Sequence, residues 1–178
     1  MNRIKFRIRY KKYKGKLKGY ETTYLTIDCK EMAKDIDDLG FESSKSEQKS
    51  VPDYVVHALK KAKEMSELTN IEWWLTTPGQ VALAFLLGFY DGDGSYKGGR
   101  KAVIYASSKP FLKQIKELFE IENRILTCKE PGEEALVFDH KYISSGFYSL
   151  ALGPKLLDMM MNSYEYSMER KRPQDSAG

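Results

Sequence analysis

The sequence has only two cysteines, Cys29 and Cys128, which lie far apart and in no CxxC or Cys/His cluster. That pattern excludes a disulfide framework and a zinc knuckle, so both are expected as reduced thiols within a core. Long hydrophobic runs are also missing. The most continuous apolar stretch, Val81 to Tyr90, is about half the roughly 20 residues that a membrane-spanning helix needs, so no membrane span is expected. The amino end, MNRIKFRIRY, has neither the apolar block nor the cleavage site of a secretory signal, which predicts an intracellular, cytoplasmic protein. Histidine is scarce too: His57 sits in a stretch of mixed polarity and His140 in a segment expected to be a loop, and the two form no credible catalytic pair. Trp73 and Trp74, the two tryptophans, read as core or interface anchors. Disorder is excluded by the 42% hydrophobic content against 30% charged, and 178 residues suffice for one domain or two small ones.

What is present is a lopsided distribution of charge. Nine basic residues (Arg3, Lys5, Arg7, Arg9, Lys11, Lys12, Lys14, Lys16, Lys18) precede the first acid, Glu21, although the whole chain carries only +4. One end is built to meet a polyanion, and the remainder holds more acids than bases. Within that end Ile4, Phe6, Ile8 and Tyr10 alternate with Arg3, Lys5, Arg7 and Arg9, a period of two that predicts a strand with one apolar and one cationic face. Such a strand, extended by Lys11 and Lys12, can lie in a groove and reach phosphates and base edges. The alternative is an edge strand guarded by charge against aggregation. Lys97, Arg100 and Lys101 are placed to extend a nucleic-acid surface, with Tyr10, Tyr13 and Tyr20 available for stacking.

A turn with Gly15 and Gly19 leads to a second strand over Tyr20 to Cys29, then to a helix over Lys30 to Leu39 that Gly40 stops. Glu42 to Ser50 reads as an exposed loop. A helix is predicted over Val51 to Leu68, with Val55, Val56, Leu59 and Met65 as its apolar side. Thr77, Pro78 and Gln80 predict the N-cap, first-turn proline and capping-box glutamine of the next helix, which runs to about Tyr90 and closes in Asp91, Gly92, Asp93, Gly94. Strands follow at Ser95 to Tyr96 and Lys101 to Ser107 around Gly98-Gly99, then a helix over Lys109 to Phe119. Two more strands, Arg124 to Lys129 and Phe147 to Leu152, come next, with Ala135 to Phe138 a possible extension. A last helix is expected from Pro154 to about Arg170, followed by a mobile tail. From Thr77 the order is αββαββα, an α+β architecture.

Asp91 and Asp93 stand where a helix end already carries partial negative charge, so something positive is expected beside them. Aspartate oxygens with backbone carbonyls suit a hard cation such as Mg²⁺. The plain alternative is a polar turn, since Asp-Gly pairs are common there. An EF-hand is excluded: counted from Asp91, the obligatory glycine position is Tyr96 and the acid position is Ala102. Ala84, Gly88 and Gly92 recur every four residues along one helix face, which lets another backbone approach closely. Whether that partner lies within the domain or is a second helix outside it stays open on spacing alone.

Leu86 to Gly94, reading LLGFYDGDG, resembles the LAGLIDADG (dodecapeptide) motif of homing endonucleases, and the αββαββα order around it is the one that family uses. The resemblance implies a pair of motif helices packed side by side and an antiparallel saddle of strands over double-stranded DNA. It implies Asp93 as catalytic and Mg²⁺-binding, with Gly92 adding a carbonyl, and Ala84, Gly88, Asp91, Gly92 and Gly94 as the helix-interface positions. Lys49-Ser50-Val51-Pro52 is similar to a Lys-x-hydrophobic-Pro segment of intein-type members, which makes Lys49 a catalytic candidate, a solvated loop lysine being its alternative. The same alignment makes residues 1–46 a partial ββα repeat, 47–76 a connecting helix and linker, 77–172 the αββαββα unit and 173–178 a tail. The first motif helix is then missing, and a homodimer or a second LAGLIDADG-bearing chain is expected to supply it. No His-Asn splice terminus is present, so a complete intein is not expected. The function implied is a site-specific endonuclease or half of one; a catalytically degenerate DNA-binding or regulatory relative, an RNA-splicing maturase, and a module unrelated to nucleic acid are the competing readings.

Overall fold

Apolar periodicity and turn chemistry translate into two compact units, Met1–Gly40 and Phe41–Gly178. A computed structural model describes residues 5–12, 21–28, 30–40, 50–99, 101–137, 140–164 and 171–173. In the first unit β1 (Lys5–Lys12) and β2 (Glu21–Asp28) form an antiparallel pair, followed by α1 (Lys30–Asp38). Gly40, at φ 82°, ends α1 by donating its N–H to the Asp37 carbonyl at 2.9 Å. That left-handed conformation is the one glycine adopts without strain.

The second unit begins with α2 (Asp53–Thr69), a short 3-10 turn at Trp73–Leu75, and α3 (Thr77–Asp93). The strands β3 (Gly94–Tyr96) and β4 (Ala102–Ala106), α4 (Lys109–Leu118), and the strands β5 (Ile125–Lys129), β6 (Glu134–Val137), β7 (His140–Ile143) and β8 (Phe147–Ala151) follow, then α5 (Pro154–Ser163). The antiparallel sheet runs β3-β4-β8-β5, while β6 and β7 make a separate hairpin.

Alternation decides which side of that sheet is covered. Ala102, Ile104, Tyr148 and Leu150 are buried on one face. With them pack Leu83, Leu86 and Leu87 of α3, Val55 and Leu59 of α2, Phe111, Leu112 and Ile115 of α4, and Leu157 and Met160 of α5. Each such side chain contributes on the order of 1.5–3 kcal/mol by leaving water, so α3 is held chiefly by its apolar flanks. The chain is α+β, as its pattern predicted.

Several local expectations need correction. The cap of α3 is Thr76, whose hydroxyl accepts from the Gly79 N–H at 3.1 Å, with Pro78 in the first turn. Gln80 is no capping-box residue; its amide donates to the Trp74 carbonyl at 2.6 Å and to Ser163 Oγ at 3.1 Å. The helix continues through Asp93 rather than stopping near Tyr90. His140 lies in a strand instead of a loop, and α5 ends at Ser163 where Tyr164 turns extended. Cys128 is exposed, not core, because it sits on β5 at the sheet's outer edge. Cys29, the loop after Phe41 and the tail beyond Pro173 lie outside the described residues.

Candidate functional site

Helix α3 has three buried flanks and one bare one. Ala82, Leu83, Leu86, Leu87 and Tyr90 are buried, whereas Val81, Ala84, Gly88 and Gly92 are exposed along a single stripe. A methyl group added at Gly88 would meet nothing within 4 Å among the described residues. Among the described residues, then, nothing packs tightly on this helix face at Gly88.

The end of that helix is occupied by a cation from far along the chain. Lys171, only 5% exposed, donates from Nζ to the Tyr90 carbonyl at 2.8 Å and also to the Asp91 carbonyl. These carbonyls belong to the last turn, where a helix runs out of N–H donors of its own and further donors are welcome. In return the Tyr90 hydroxyl donates to the Lys171 carbonyl at 2.8 Å, and the ammonium stands 5.7 Å from the centroid of the Tyr90 ring. The positive charge expected beside Asp91 and Asp93 is present, and it explains why two aspartates and a glycine remain helical despite their low propensity.

Tyr90 is fully buried, and its phenol is pushed up to about 12, first by burial and then by the charges of Asp91 and Tyr96. The folded chain thus holds this proton more tightly than the unfolded chain, whose value is 10.0. The stability it contributes is intact below about pH 10 and is lost as pH climbs toward about 12. Urea midpoints taken across that window should fall for the native chain and fall less for Tyr90→Phe.

Asp93 is the last helical residue and is half-buried; Gly94, extended at φ −98°, starts β3 and donates its N–H back to the Tyr90 carbonyl. A Cβ at position 94 would strike both the ring and the carbonyl of Tyr90. Space, not backbone conformation, demands glycine there. Gly94→Ala should cost about 1–3 kcal/mol in chemical denaturation, an overpacking penalty. Asp91 keeps one carboxylate oxygen, Oδ1, shielded from solvent.

Beside this end lies the outer face of the sheet. Tyr105 and Phe147 stack in parallel, with centroids 5.4 Å apart and planes 5° from one another. Ser95 Oγ is 3.3 Å from the Tyr105 hydroxyl, and Lys97 Nζ lies 5.8 Å from that ring's centroid. At the far edge Lys129 Nζ stands 5.6 Å from the centroid of the Tyr142 ring. Lys97 and Lys101 flank the turn in which Lys97 donates its N–H to the Lys101 carbonyl at 2.9 Å, with Gly98 and Gly99 at positive φ, and both lysines are exposed. Sequence reading singled out Lys97 and Lys101 but missed Tyr105, Phe147, Lys129 and Tyr142. The alternation of Val103 and Tyr105 against Ala102 and Ile104 was the signal available.

Lys5, Arg7, Arg9 and Lys11 occupy alternate β1 positions opposite Asp28, Thr26, Tyr24 and Thr22, and Lys12 pairs with Glu21. Arg3, Lys49 and Arg100 lie outside the described residues. His57 is exposed on α2. Among the described residues no group of three or more His, Cys, Asp or Glu side chains is placed to hold a metal ion, and no helix is long and apolar enough to cross a membrane.

Residues 80–146, from the second turn of α3 through the β6–β7 hairpin, match the family model described as a LAGLIDADG-like domain. A comparison with curated proteins and another with solved structures each returned no match. The match falls on the helix that carries Asp91 and Asp93 and on the strands beside it, so over these residues the chain carries a LAGLIDADG-like domain.

Proposed function

We propose that the chain is one half of a site-specific, double-stranded DNA endonuclease that hydrolyses phosphodiesters with Mg²⁺, acting in the cytoplasm as a homodimer or beside a second LAGLIDADG-bearing chain. The observation that carries this reading is the bare stripe of Ala84, Gly88 and Gly92 on a helix otherwise buried, leading to Asp93. Two such helices in contact bring two Asp93 carboxylates together. Asp91 and Gly94 finish each helix, and the αββαββα unit of residues 77–172 is the repeating half.

The donor set fits magnesium. Asp93 would offer a carboxylate and Gly92 a backbone carbonyl, the hard oxygens that this ion takes. Mg²⁺ takes one or two carboxylates and completes its shell with water and substrate phosphate, so a single chain need not supply a full cage. When bound, the ion supplies Lewis-acid stabilisation of charge at a phosphate and an acidified water. Asp93 would hold it, and Lys49 would offset charge at the phosphate. Lys97, Arg100, Lys101 and Arg3, with Lys5, Arg7, Arg9, Lys11 and Lys12 of β1, would grip the backbone of the duplex.

A gel-shift series at rising salt, followed by incubation with Mg²⁺ and DNA from the chain's own locus, tests the proposal. Retention that weakens steeply with salt and nicked or cut product are expected. Binding without cleavage points instead to a degenerate DNA-binding relative, and preference for RNA to a maturase. No retention at low salt removes the nucleic-acid reading altogether.

A further inference from the structure

Resting on the proposed nuclease reading, we infer that Lys171 is a positioning residue for Asp93, acting through Tyr90 and the last turn of α3. A lysine buried this far is costly unless its charge is partnered. Here the partnering goes to the end of the motif helix: the ammonium bonds the carbonyls of Tyr90 and Asp91. The lock is reciprocal, because the Tyr90 hydroxyl bonds the Lys171 backbone at 2.8 Å across 81 residues of sequence. The Tyr90 carbonyl also receives the Gly94 N–H. Lys171 and the first residue of β3 therefore meet at one oxygen, and Asp93 is the residue directly before that strand.

Two consequences follow for the site. The ammonium offsets the negative helix end at the place where Asp91 and Asp93 would otherwise unwind it. It also fixes the helix-to-strand junction, so the direction in which Asp93 leaves the helix is set before DNA or metal arrives. Pre-organisation of this kind matters for rate more than for affinity, since small misplacements of a reacting group cost about 10²-fold.

Lys171→Met keeps the aliphatic stem and removes the charge. Amide hydrogen exchange should show protection at Gly94 to Tyr96 falling at least about tenfold while that of α4 is unchanged, a local opening rather than global loss. Cleavage at saturating DNA and Mg²⁺ should fall about 10- to 100-fold with DNA retention unaltered, and Lys171→Arg should recover part of it. Unchanged exchange at Gly94, or a loss spread evenly through the core, would overturn the inference. Should Lys171→Met fail to fold, Tyr90→Phe removes only the reciprocal bond, and the same local pattern, smaller in size, is required of it. If the native chain does not cut, the nuclease reading fails while the exchange measurement still decides the role of Lys171.

Discussion

Asp93→Asn is expected to abolish Mg²⁺-dependent cleavage while leaving DNA retention intact or slightly stronger. The amide is nearly isosteric with the carboxylate but carries no charge, so a hard divalent ion loses its one charged protein ligand on each chain. Loss of several kcal/mol of charge stabilisation corresponds to about three powers of ten in rate. Binding should not suffer, because removing a negative group beside phosphates reduces repulsion. Mixing native and Asp93→Asn protein carries the argument further. If the centre is built from two chains, mixed pairs hold a single Asp93 and should nick one strand where native pairs cut both. Equal cutting by the pure variant would remove Asp93 from the chemistry.

The second large effect is expected at Gly88, where stability and activity should move in opposite directions. Glycine within a helix costs about 1 kcal/mol relative to alanine, and no described atom comes within 4 Å of a Cβ at this position. Gly88→Ala should therefore raise the unfolding free energy of the isolated chain by about 1 kcal/mol. Gly88→Leu should fold equally well as a monomer yet lose cleavage, because a large side chain holds an approaching helix away from the Ala84, Gly88 and Gly92 stripe. If the stripe instead packed inside the domain, the leucine would destabilise the fold, as overpacking does. Denaturation curves and cleavage assays on the same preparations separate the two cases.

The order of elements around Asp93 was legible because it rests on local chemistry. A threonine and a proline before Val81 announce a helix start, two glycines after Lys97 announce a hairpin, and alternating apolar residues mark β4 and β8. The cap moved by one residue because Thr76 and Thr77 are chemically equivalent and only the backbone chooses between them. The β6–β7 hairpin was legible only in its first strand, since Ala135 to Phe138 read as a possible extension while His140 was expected in a loop. Lys171 could not be read at all. The need for a cation at the helix end followed from the two aspartates, but its source lies 81 residues from Tyr90, and no periodicity records such a contact. The same contact explains why α3 outlasted its predicted end. Cys128 was assigned to a core from residue type alone, while its strand lies at the edge of the sheet.

The account turns on a second α3 lying against the bare stripe of the first when DNA is bound. Measuring the solution mass of the complex with a duplex containing a single target site tests this most directly. Two copies of the chain per duplex for the native protein, and one for Gly88→Leu, are predicted. A native complex that holds one copy and still cuts both strands would contradict it.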